Sequence, residues 1–564
     1  MLKYWKLKKT DPALARKLSH EASLSPLLAQ LLINRSIIDA RSAFSFLSPQ
    51  LKELHEPLGL KDMDRAIERI KKALRDGERI LIFGDYDVDG LTSTALLMSA
   101  LKGFGADAHT YIPDRIREGY GLNENAIDAA RKVGATLLIA VDCGTNAHSV
   151  ISKLRECAID VIVIDHHEPS SDKSPDAILI NPLRGGCTYP YKHLAGVGLA
   201  YKVLMALDEE FSVDSKECLD LVALGTICDV VPMIAENRIL AKEGLGVLRR
   251  TKKPGLLAII DEARITPERL TAYHAGYVIG PRLNAQGRLH TAQRSLQILL
   301  TNSKAEAKEL ASTLSIDNTE RQKTQAQVLK QALDKISGEV NFAEDRAIVL
   351  YDEKWHPGVI GIVASKIVDR FYRPCILIAG NGPACRGSGR SIPNFNLVKA
   401  LEHCKEHLLG YGGHKSACGL TIAPANLDSF KRALNEFANR DLLPSDLIPT
   451  IEVDADFPIC DLGPELAGEL DRLSPFGHGN SRPLLLSRNL KLKSRPVLSG
   501  KKRVSFWVTD GKKTFEAVTF DSDLSADAMA SDTFDIVYSP TLDSWHGRDF
   551  VRLELKDLRP TTMD

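Results

Sequence analysis

The chain has 564 residues, and its 44% hydrophobic and 26% charged content is ordinary for a globular protein of three or four domains at about 150 residues each. Its 73 basic and 73 acidic side chains give a formal net charge of zero, so any nucleic-acid-binding surface must be local. No stretch approaches the roughly 20 apolar residues that cross a bilayer, and no apolar signal segment follows the N-terminus. The 10 cysteines include no C-x-x-C pair. Together these observations predict a cytoplasmic protein with reduced thiols and no membrane contact.

The first half of the chain predicts a helical segment followed by an α/β domain. Residues 1–60 show helical patterns interrupted by prolines, and we expect them to form a separate N-terminal segment. From 61 to 303, helical patterns alternate with short apolar runs, which predicts βαβ units around a parallel sheet. Four apolar runs each precede an aspartate, and we interpret all of them as buried strands: 80–83, 137–141, 161–164 and 221–225.

Three further segments complete the predicted architecture. Residues 304–337 hold helix formers with almost no glycine or proline, which predicts a connecting helix whose polar middle, 317–325, faces solvent on all sides. Residues 338–440 predict a second α/β domain with glycine-rich loops. Residues 449–564 contain short strands separated by turns, which predicts a small barrel or sandwich. The fold class is therefore α/β, with an all-β domain at the C-terminal end.

An acidic loop follows the first predicted strand. Asp85, Asp87 and Asp89 alternate before Gly90, and side chains two residues apart in an extended segment project the same way. Alone, this sequence is more typical of a solvated surface turn, and it lacks the glutamate of a calcium loop. Further metal-type side chains follow the other runs: Asp142, His166, His167 and Asp229.

Together these side chains predict a metal site, because the carboxyl ends of parallel strands meet at one edge of a sheet. Carboxylates gathered there without cations would repel one another and take up protons. Oxygen and imidazole ligands suit manganese or magnesium.

These residues resemble the motifs of the DHH phosphoesterase superfamily, which is named for the motif seen here as Asp165-His166-His167. The resemblance implies two divalent cations, Mn²⁺ or Mg²⁺, that hydrolyse a phosphodiester, with His167 next to the scissile phosphate. Related pyrophosphatases have a histidine at the position of Phe83, so Asp85 or water would complete the first site here. In the implied scheme one cation is held by Asp87 and Asp142, and the other by Asp89, Asp142, His166 and Asp229.

The resemblance extends over nearly the whole chain. The second α/β domain, with its loop at 412–419, is similar to the DHHA1 substrate-binding domain of this superfamily. Blocks at 84–90, 280–289 and 475–480 are similar to those of its bacterial single-strand-specific DNA exonucleases. This implies 5′-to-3′ degradation of single-stranded DNA to mononucleotides in DNA repair and recombination. It also implies a RecQ-type helicase and a single-strand-binding protein as partners. We expect the protein to be a monomer.

Several basic and glycine-rich segments are candidates for DNA contacts. Residues 482–503 contain eight basic residues and no acid, and they fall on the predicted OB-like domain next to an aromatic pair, 506–507. A charge run is otherwise typical of a solvated face, with the aromatic residues alternating between core and surface. Small residues and arginines in the second α/β domain are typical of phosphate contacts. The candidates are Lys491, Lys493, Lys501, Lys502, Arg503 and Trp507 in the barrel, Arg386, Ser388, Arg390, Gly413 and His414 in the second domain, and, mainly by resemblance, Arg282, Asn284 and Arg288.

Two other functions are compatible with parts of this pattern. Other hydrolases of the superfamily act on short oligoribonucleotides, cyclic dinucleotides or pyrophosphate, but they typically lack the additional C-terminal domain. A non-catalytic DNA-binding scaffold, such as the related subunit of the eukaryotic replicative helicase, would have lost metal ligands. Here every expected ligand except the one at Phe83 is present.

Overall fold

The computed structural model describes residues 3–115, 117–170, 173–211, 215–289, 291–380, 382–499, 503–521, 531–545 and 548–561. It divides into two compact units. The first combines residues 55–229 with 244–449, and the second combines 4–54, 230–243 and 450–564. The domain bounds predicted from the sequence therefore cut across these units, because the N-terminal segment shares a unit with the C-terminal domain.

The N-terminal segment is one short strand and three helices. Leu18, Leu28 and Leu31 are fully buried and pack in one hydrophobic core with barrel residues such as Phe506 and Ile536. The segment therefore belongs to the core of the second unit. Its elements are β1 (Tyr4–Leu7), α1 (Pro12–Ala22), α2 (Pro26–Ile33) and α3 (Ala40–Leu47).

The first α/β domain is built on a five-stranded sheet in which all strands are parallel. Its central strands are apolar along nearly their whole length, as expected for strands that are covered on both faces. The strand order is β3-β2-β4-β5-β6. The elements are α4 (Met63–Arg75), β2 (Arg79–Gly84), α5 (Val88–Gly103), β3 (Asp107–Tyr111), α6 (Asn125–Val133), β4 (Leu137–Val141), α7 (His148–Glu156), β5 (Asp160–Ile164), β6 (Ile178–Ile180) and α8 (Gly196–Phe211).

A helical region follows this sheet and corrects one prediction. The apolar run at 221–225 is not a strand but lies in a helix, α9 (Leu219–Cys228), packed on α5 and α8. An apolar run that is covered on all sides has no helical or strand period, so the sequence could not distinguish the two. The remaining helices are α10 (Ala235–Leu248), α11 (Pro254–Glu262), α12 (Ala272–His274), α13 (Gly280–Leu289) and α14 (Gln293–Leu300), with a π-helical turn at Ala275–Ile279.

The predicted connecting helix is α15 (Lys304–Glu339), 36 residues long. Its polar middle was expected to face solvent on all sides, and that expectation is wrong. Asp317, Asn318, Arg321 and Gln325 are buried, and α15 packs against α11 and α13. The burial is possible because these groups have hydrogen-bond partners. Arg321 donates to Asn318 Oδ1 at 2.9 Å and to Gln325 Oε1 at 3.3 Å, and Asp317 accepts from Gln286 Nε2 at 3.4 Å.

The second α/β domain has a mixed five-stranded sheet in the order β10-β11-β9-β8-β7. β7 and β8 are parallel, and the other neighbours are antiparallel. Its elements are β7 (Ile348–Asp352), α16 (Pro357–Phe371), β8 (Cys375–Ala379), β9 (Cys385–Arg390), α17 (Leu397–His403), β10 (Gly410–Gly413), β11 (Ala417–Ile422) and α18 (Leu427–Asp441).

The C-terminal domain is a small barrel, and the predicted fold class is confirmed. Its strands pair in the order β13-β14-β18-β19-β17-β16-β15, and an additional β14–β16 pairing closes the ring. Five strands in a closed ring are typical of an OB-fold. The elements are β12 (Thr450–Val453), which pairs with β1, β13 (Ala455–Asp456), α19 (Pro464–Asp471), β14 (Leu485–Leu492), β15 (Val497–Ser499), β16 (Arg503–Thr509), β17 (Thr514–Thr519), β18 (Phe534–Trp545) and β19 (Arg548–Pro560).

Candidate metal centre and active site

Three of the predicted acidic residues lie where the sequence places them, at the carboxyl ends of neighbouring parallel strands. Asp85 follows β2, Asp142 follows β4 and Asp165 follows β5. Asp229 joins them from the C-terminal end of α9, where it caps the helix. One sheet edge and one helix end therefore supply these four acidic groups.

Asp87 and Asp89 are held by backbone N–H groups at two helix starts. Asp87 caps α5, and its Oδ1 accepts hydrogen bonds from the N–H groups of Asp89 (2.9 Å) and Gly90 (3.1 Å). The carboxylate of Asp89 accepts from Gly196 N (2.6 Å) and Val197 N (2.7 Å), at the start of α8. A helix N-terminus favours negative charge. Burial and the charge of Asp87 nonetheless raise the pKa of Asp89 to about 7.

His166 lies at the centre of the acidic group. Its Nε2 is 3.1 Å from Asp142 Oδ1, 3.6 Å from Asp229 Oδ2 and 3.9 Å from Asp89 Oδ2. Burial and the neighbouring His167 lower the pKa of His166 to about 4. The imidazole is therefore neutral at pH 7, which is the form that ligates a metal.

Asp165 does not join this group but orients His167. Its carboxylate accepts hydrogen bonds from the backbone N–H groups of Thr145, His166 and His167 and from His167 Nδ1 at 2.7 Å. Burial acts to lower the pKa of His167, but the hydrogen bond and charge of Asp165 raise it overall. The hydroxyl Oη of Tyr120 lies 2.8 Å from His167 Nε2 and 3.1 Å from His167 Nδ1. Tyr120 is not among the residues predicted from the sequence, because it belongs to no motif that we could interpret.

The geometry fits divalent cations. Among the buried atoms that have no hydrogen-bond partner within the described residues, four belong to this acidic group: Asp85 Oδ1, Asp142 Oδ1, His166 Nε2 and Asp229 Oδ2. Burial and neighbouring carboxylates raise the pKa of Asp85, Asp142 and Asp229 well above the usual range. Buried ligand atoms that repel one another and lack partners are what a bound cation would stabilise.

Within the described residues, seven side chains form three groups in which one ligand atom from each member lies within 4.8 Å of the others. Asp142 is a member of two groups, as expected for a shared ligand, and His166 is also a member of two. Asp85 lies with Asp87 and Asp142, where the sequence analysis offered it as a substitute for the histidine missing at Phe83. The groups are Asp85, Asp87 and Asp142; Asp89, His166 and Asp229; and Asp142, His166 and His167.

A cluster of four arginines lies near the acidic site, and we call Arg115, Arg288, Arg321 and Arg390 the arginine cluster. Burial and the neighbouring charges of Arg115, Arg321 and Arg390 lower the pKa of Arg288 to about 9. Arg390 donates to Ser388 Oγ at 3.3 Å, and Arg288 donates across to the second α/β domain, to Gly358 O at 3.3 Å. The buried Nε of Arg321 has no hydrogen-bond partner among the described residues.

Only two of these arginines are predicted from the sequence. Arg288 and Arg390 were predicted, whereas Arg115 lies outside any motif that we recognised, and Arg321 lies on the helix face that we expected in solvent. Positively charged guanidinium groups that lie close together and have N–H donors without acceptors are typical of an anion-binding site.

The other predicted DNA-binding residues of the first unit are spread over its two domains. Arg282 donates to Val278 O and Ser315 Oγ, and Asn284 lies on the same helix, α13. Arg386 is exposed at the far end of β9 but shares a strand face with Ser388 and Arg390. Gly413 has a φ of 138°, and His414 N donates to Ala417 O.

In the barrel, the predicted residues are partly brought together. Lys491 and Lys493 are exposed on and just after β14, and Lys493 N donates to Trp507 O at 2.7 Å. Trp507 is 48% exposed whereas Phe506 is buried, so the aromatic pair alternates between surface and core. Arg503 lies 3.5 Å from the carboxylate of Glu516, which neutralises part of its charge. Lys501 and Lys502 lie outside the described residues.

Three known domain families match the chain in the order that the structure shows. The N-terminal domain of the DHH family matches residues 79–226, the DHHA1 domain matches 344–440 and the RecJ OB domain matches 453–557. The single-stranded-DNA-specific exonuclease RecJ of Bacillus subtilis is 36% identical over 98% of this chain and 70% of its own length. RecJ of Salmonella typhimurium is 33% identical over 96% of this chain and 96% of its own length.

Solved structures agree with these similarities. RecJ of Thermus thermophilus in complex with Mn²⁺ superposes with a TM-score of 0.86 at 30% identity, covering 99% of this chain and 80% of that one. The structure of the same RecJ in complex with Mg²⁺ gives a TM-score of 0.79 at 29% identity, and the match covers 99% of this chain and 79% of that one. On domain order, full-length similarity and fold, the chain belongs to the RecJ family of the DHH phosphoesterases.

Proposed function

We propose that this chain is a metal-dependent exonuclease that degrades single-stranded DNA from the 5′ end and releases mononucleotides. One observation carries the proposal: buried carboxylates and a neutral imidazole converge on one point with unpartnered ligand atoms among the described residues. The names of the RecJ relatives support single-stranded DNA as the substrate. The direction and the products rest on the resemblance to this branch of the superfamily.

The residues present would hold two cations, and the solved relatives contain Mn²⁺ or Mg²⁺. Asp85, Asp87 and Asp142 would hold one, and Asp89, His166 and Asp229 the other, with Asp142 shared between them. When bound, such a pair supplies Lewis-acid activation and neutralises charge during phosphodiester hydrolysis.

The chain itself orients these ligands and the substrate. The helix starts that bind Asp87 and Asp89 fix both carboxylates before any cation arrives. Asp165 binds Nδ1 of His167, which leaves Nε2 for Tyr120 or for a phosphate oxygen. A His167 that is protonated through the charge of Asp165 can donate this hydrogen bond and stabilise the negative charge of the phosphate.

The arginine cluster and Ser388 would bind DNA phosphates at the junction of the two α/β domains. Arg288 comes from the first domain and Arg390 from the second, and the charge of Arg390 helps to lower the pKa of Arg288. A passage bounded by two domains would admit a single strand and exclude a duplex. Rapid degradation of blunt duplex with no preference for single strands would contradict this part of the proposal.

The barrel would hold the part of the strand that is not being cut. Lys491 and Lys493 supply charge next to the exposed ring of Trp507, a combination that OB-folds use to bind single strands. Arg386, Arg503, Gly413 and His414 are further candidates for backbone contacts.

The decisive experiment is nucleotide release from 5′-labelled and 3′-labelled single-stranded DNA, with manganese and with a chelator. Manganese-dependent release of the 5′ label first is the expected result. Hydrolysis of a dinucleotide without degradation of long DNA would retain the metal site and assign the chain to the short-substrate hydrolases. Binding of DNA without any hydrolysis would favour the scaffold function.

We also propose that the enzyme acts as a cytoplasmic monomer in DNA repair and recombination, beside a RecQ-type helicase and a single-strand-binding protein. The resemblance supports these partners, and all 10 cysteines are free thiols. Within the described part of the chain, no helix combines the length and apolar character that a bilayer crossing requires. Sedimentation of the purified chain, alone and with each partner, tests the assembly state and the two interactions.

A further inference from the structure

Two exposed tyrosines lie in the helical segment that precedes α13, and we call Tyr273 and Tyr277 the tyrosine face. They are 60% and 74% exposed. Their rings are stacked, with centroids 5.3 Å apart and planes inclined by 21°. The ring of His274 meets Tyr273 edge-on at 5.8 Å. Large aromatic groups that pack on each other but not into a core present a flat apolar surface to solvent.

The tyrosine face is positioned by tight packing of its helical segment on α9. A Cβ at Gly280 would lie only 2.4 Å from Cys228 Sγ, so this contact requires glycine. Cys228 Sγ also donates to Ala275 O at 3.6 Å. Cys228 immediately precedes Asp229, so the segment packs directly on the chain that carries this ligand. The two tyrosines are one helical turn apart, on the flank next to the packed positions.

The helical segment that carries the tyrosine face also contains a π-helical turn and lies next to an arginine. Tyr277 lies in the π-helical turn at Ala275–Ile279, and such turns are rare and often occur at functional sites. Arg282 Nη1 donates to Val278 O at 2.7 Å, which holds a guanidinium next to the turn that carries Tyr277. An aromatic face with a cation beside it matches a nucleotide, which has a flat base and a charged phosphate.

We propose that the tyrosine face stacks a nucleobase of the single-stranded DNA substrate and that Arg282 binds a phosphate next to that base. The proposal rests on the proposed function and adds a contact to the base, whereas the arginine cluster would bind phosphates. Aromatic rings stack on any base, so the contact favours single strands over duplex without selecting a sequence. In a duplex the bases are already stacked and their faces are not available.

The test is binding of the full-length chain, in chelator to prevent hydrolysis, to oligonucleotides of about 20 residues that each carry one abasic position. For the wild-type chain, one or two abasic positions are expected to weaken binding roughly 5- to 100-fold. For Tyr277→Ala and Tyr273→Ala, affinity for the intact oligonucleotide is expected to fall by a similar factor, and the abasic position to have little further effect.

Two variants control for loss of structure and for surface mutation in general. Tyr277→Phe keeps the ring and is expected to retain wild-type affinity and abasic sensitivity. Tyr4→Ala removes a tyrosine that is 62% exposed in the other unit and is expected to bind like the wild type. Thermal unfolding of each variant identifies any that is misfolded.

The result that would overturn the proposal is a wild-type chain that degrades single-stranded DNA but shows the same abasic profile as Tyr277→Ala. A wild-type chain that neither binds nor degrades single-stranded DNA would overturn the proposed function itself, and with it the substrate of the tyrosine face. The two failures are therefore distinguishable by the activity of the wild-type chain.

Discussion

Asp165 Oδ1 lies 2.7 Å from Nδ1 of His167, and the same carboxylate accepts the backbone N–H groups of both histidines that follow it. The motif is therefore organised by its first residue. Asp165 is buried and hydrogen-bonded through both carboxylate oxygens, and it holds His166 toward the acidic group and His167 toward Tyr120. It is a positioning residue, whereas the two histidines face the site.

Asp165→Asn should reduce turnover on single-stranded DNA by about 10- to 100-fold, as is usual when a group that orients metal ligands is changed. An amide accepts with one oxygen only and cannot stabilise a charged His167. Steady-state kinetics and circular dichroism measure the effect on activity and fold. The matched control is Asp128→Asn, which makes the same substitution at an exposed aspartate of α6. Activity within about twofold of the wild type would show that Asp165 does not position the histidines.

Asp142→Ala should reduce hydrolysis below about a tenth of the wild-type rate, because it removes the ligand shared between two groups of metal-binding atoms. Calorimetry with Mn²⁺ should show weaker binding and fewer sites. Binding of single-stranded DNA should remain, since the arginine cluster and the barrel are unchanged. A variant that keeps its activity would contradict a shared role for this carboxylate.

The double substitution Lys491→Ala with Lys493→Ala should weaken binding of long single strands and reduce its dependence on salt. Removing one lysine–phosphate ion pair lowers the slope of log affinity against log salt by about 0.7 on single strands. Titrations at several salt concentrations measure the slope. Lys17→Ala, which removes an exposed lysine of α1, should leave it unchanged. An unaltered slope in the double variant would place the DNA path elsewhere on the molecule.

Glu78→Gln should destabilise the fold by about 1–3 kcal/mol at pH 7, because Arg69 bridges Glu78 and Asp160 at 2.6 Å each. Burial acts to raise the pKa of Glu78, but hydrogen bonds from Arg69 and Thr136 lower it overall. A carboxyl with a lowered folded-state pKa stabilises the fold above its ordinary pKa, and this contribution is lost as pH falls through the folded-state value.

The difference in unfolding free energy between wild type and Glu78→Gln should therefore have its largest value at pH 7 and decrease below about pH 4. Urea unfolding at both pH values measures it. A difference that does not change with pH would mean that the charge of Glu78 contributes nothing to the bridge.

Features that depend on neighbours along the chain can be predicted from the amino-acid sequence. Asp85, Asp142 and Asp165 each follow a continuous apolar run, and parallel strands bring such ends to one edge of a sheet. That pattern, with the alternation of Asp87 and Asp89, was enough to predict the acidic site. The barrel strands were likewise visible from their turns and alternation.

Features that depend on packing between distant segments are visible only in the folded structure. Asp229 ends a helix whose apolar run is covered on all sides, and such a run carries no period. Arg321 is buried on α15, which packs against α11 and α13, and neighbouring side chains accept its hydrogen bonds. The arginine cluster and the tyrosine face have the same origin, since their placement requires contacts between elements far apart in sequence. Local composition cannot encode which surfaces will meet.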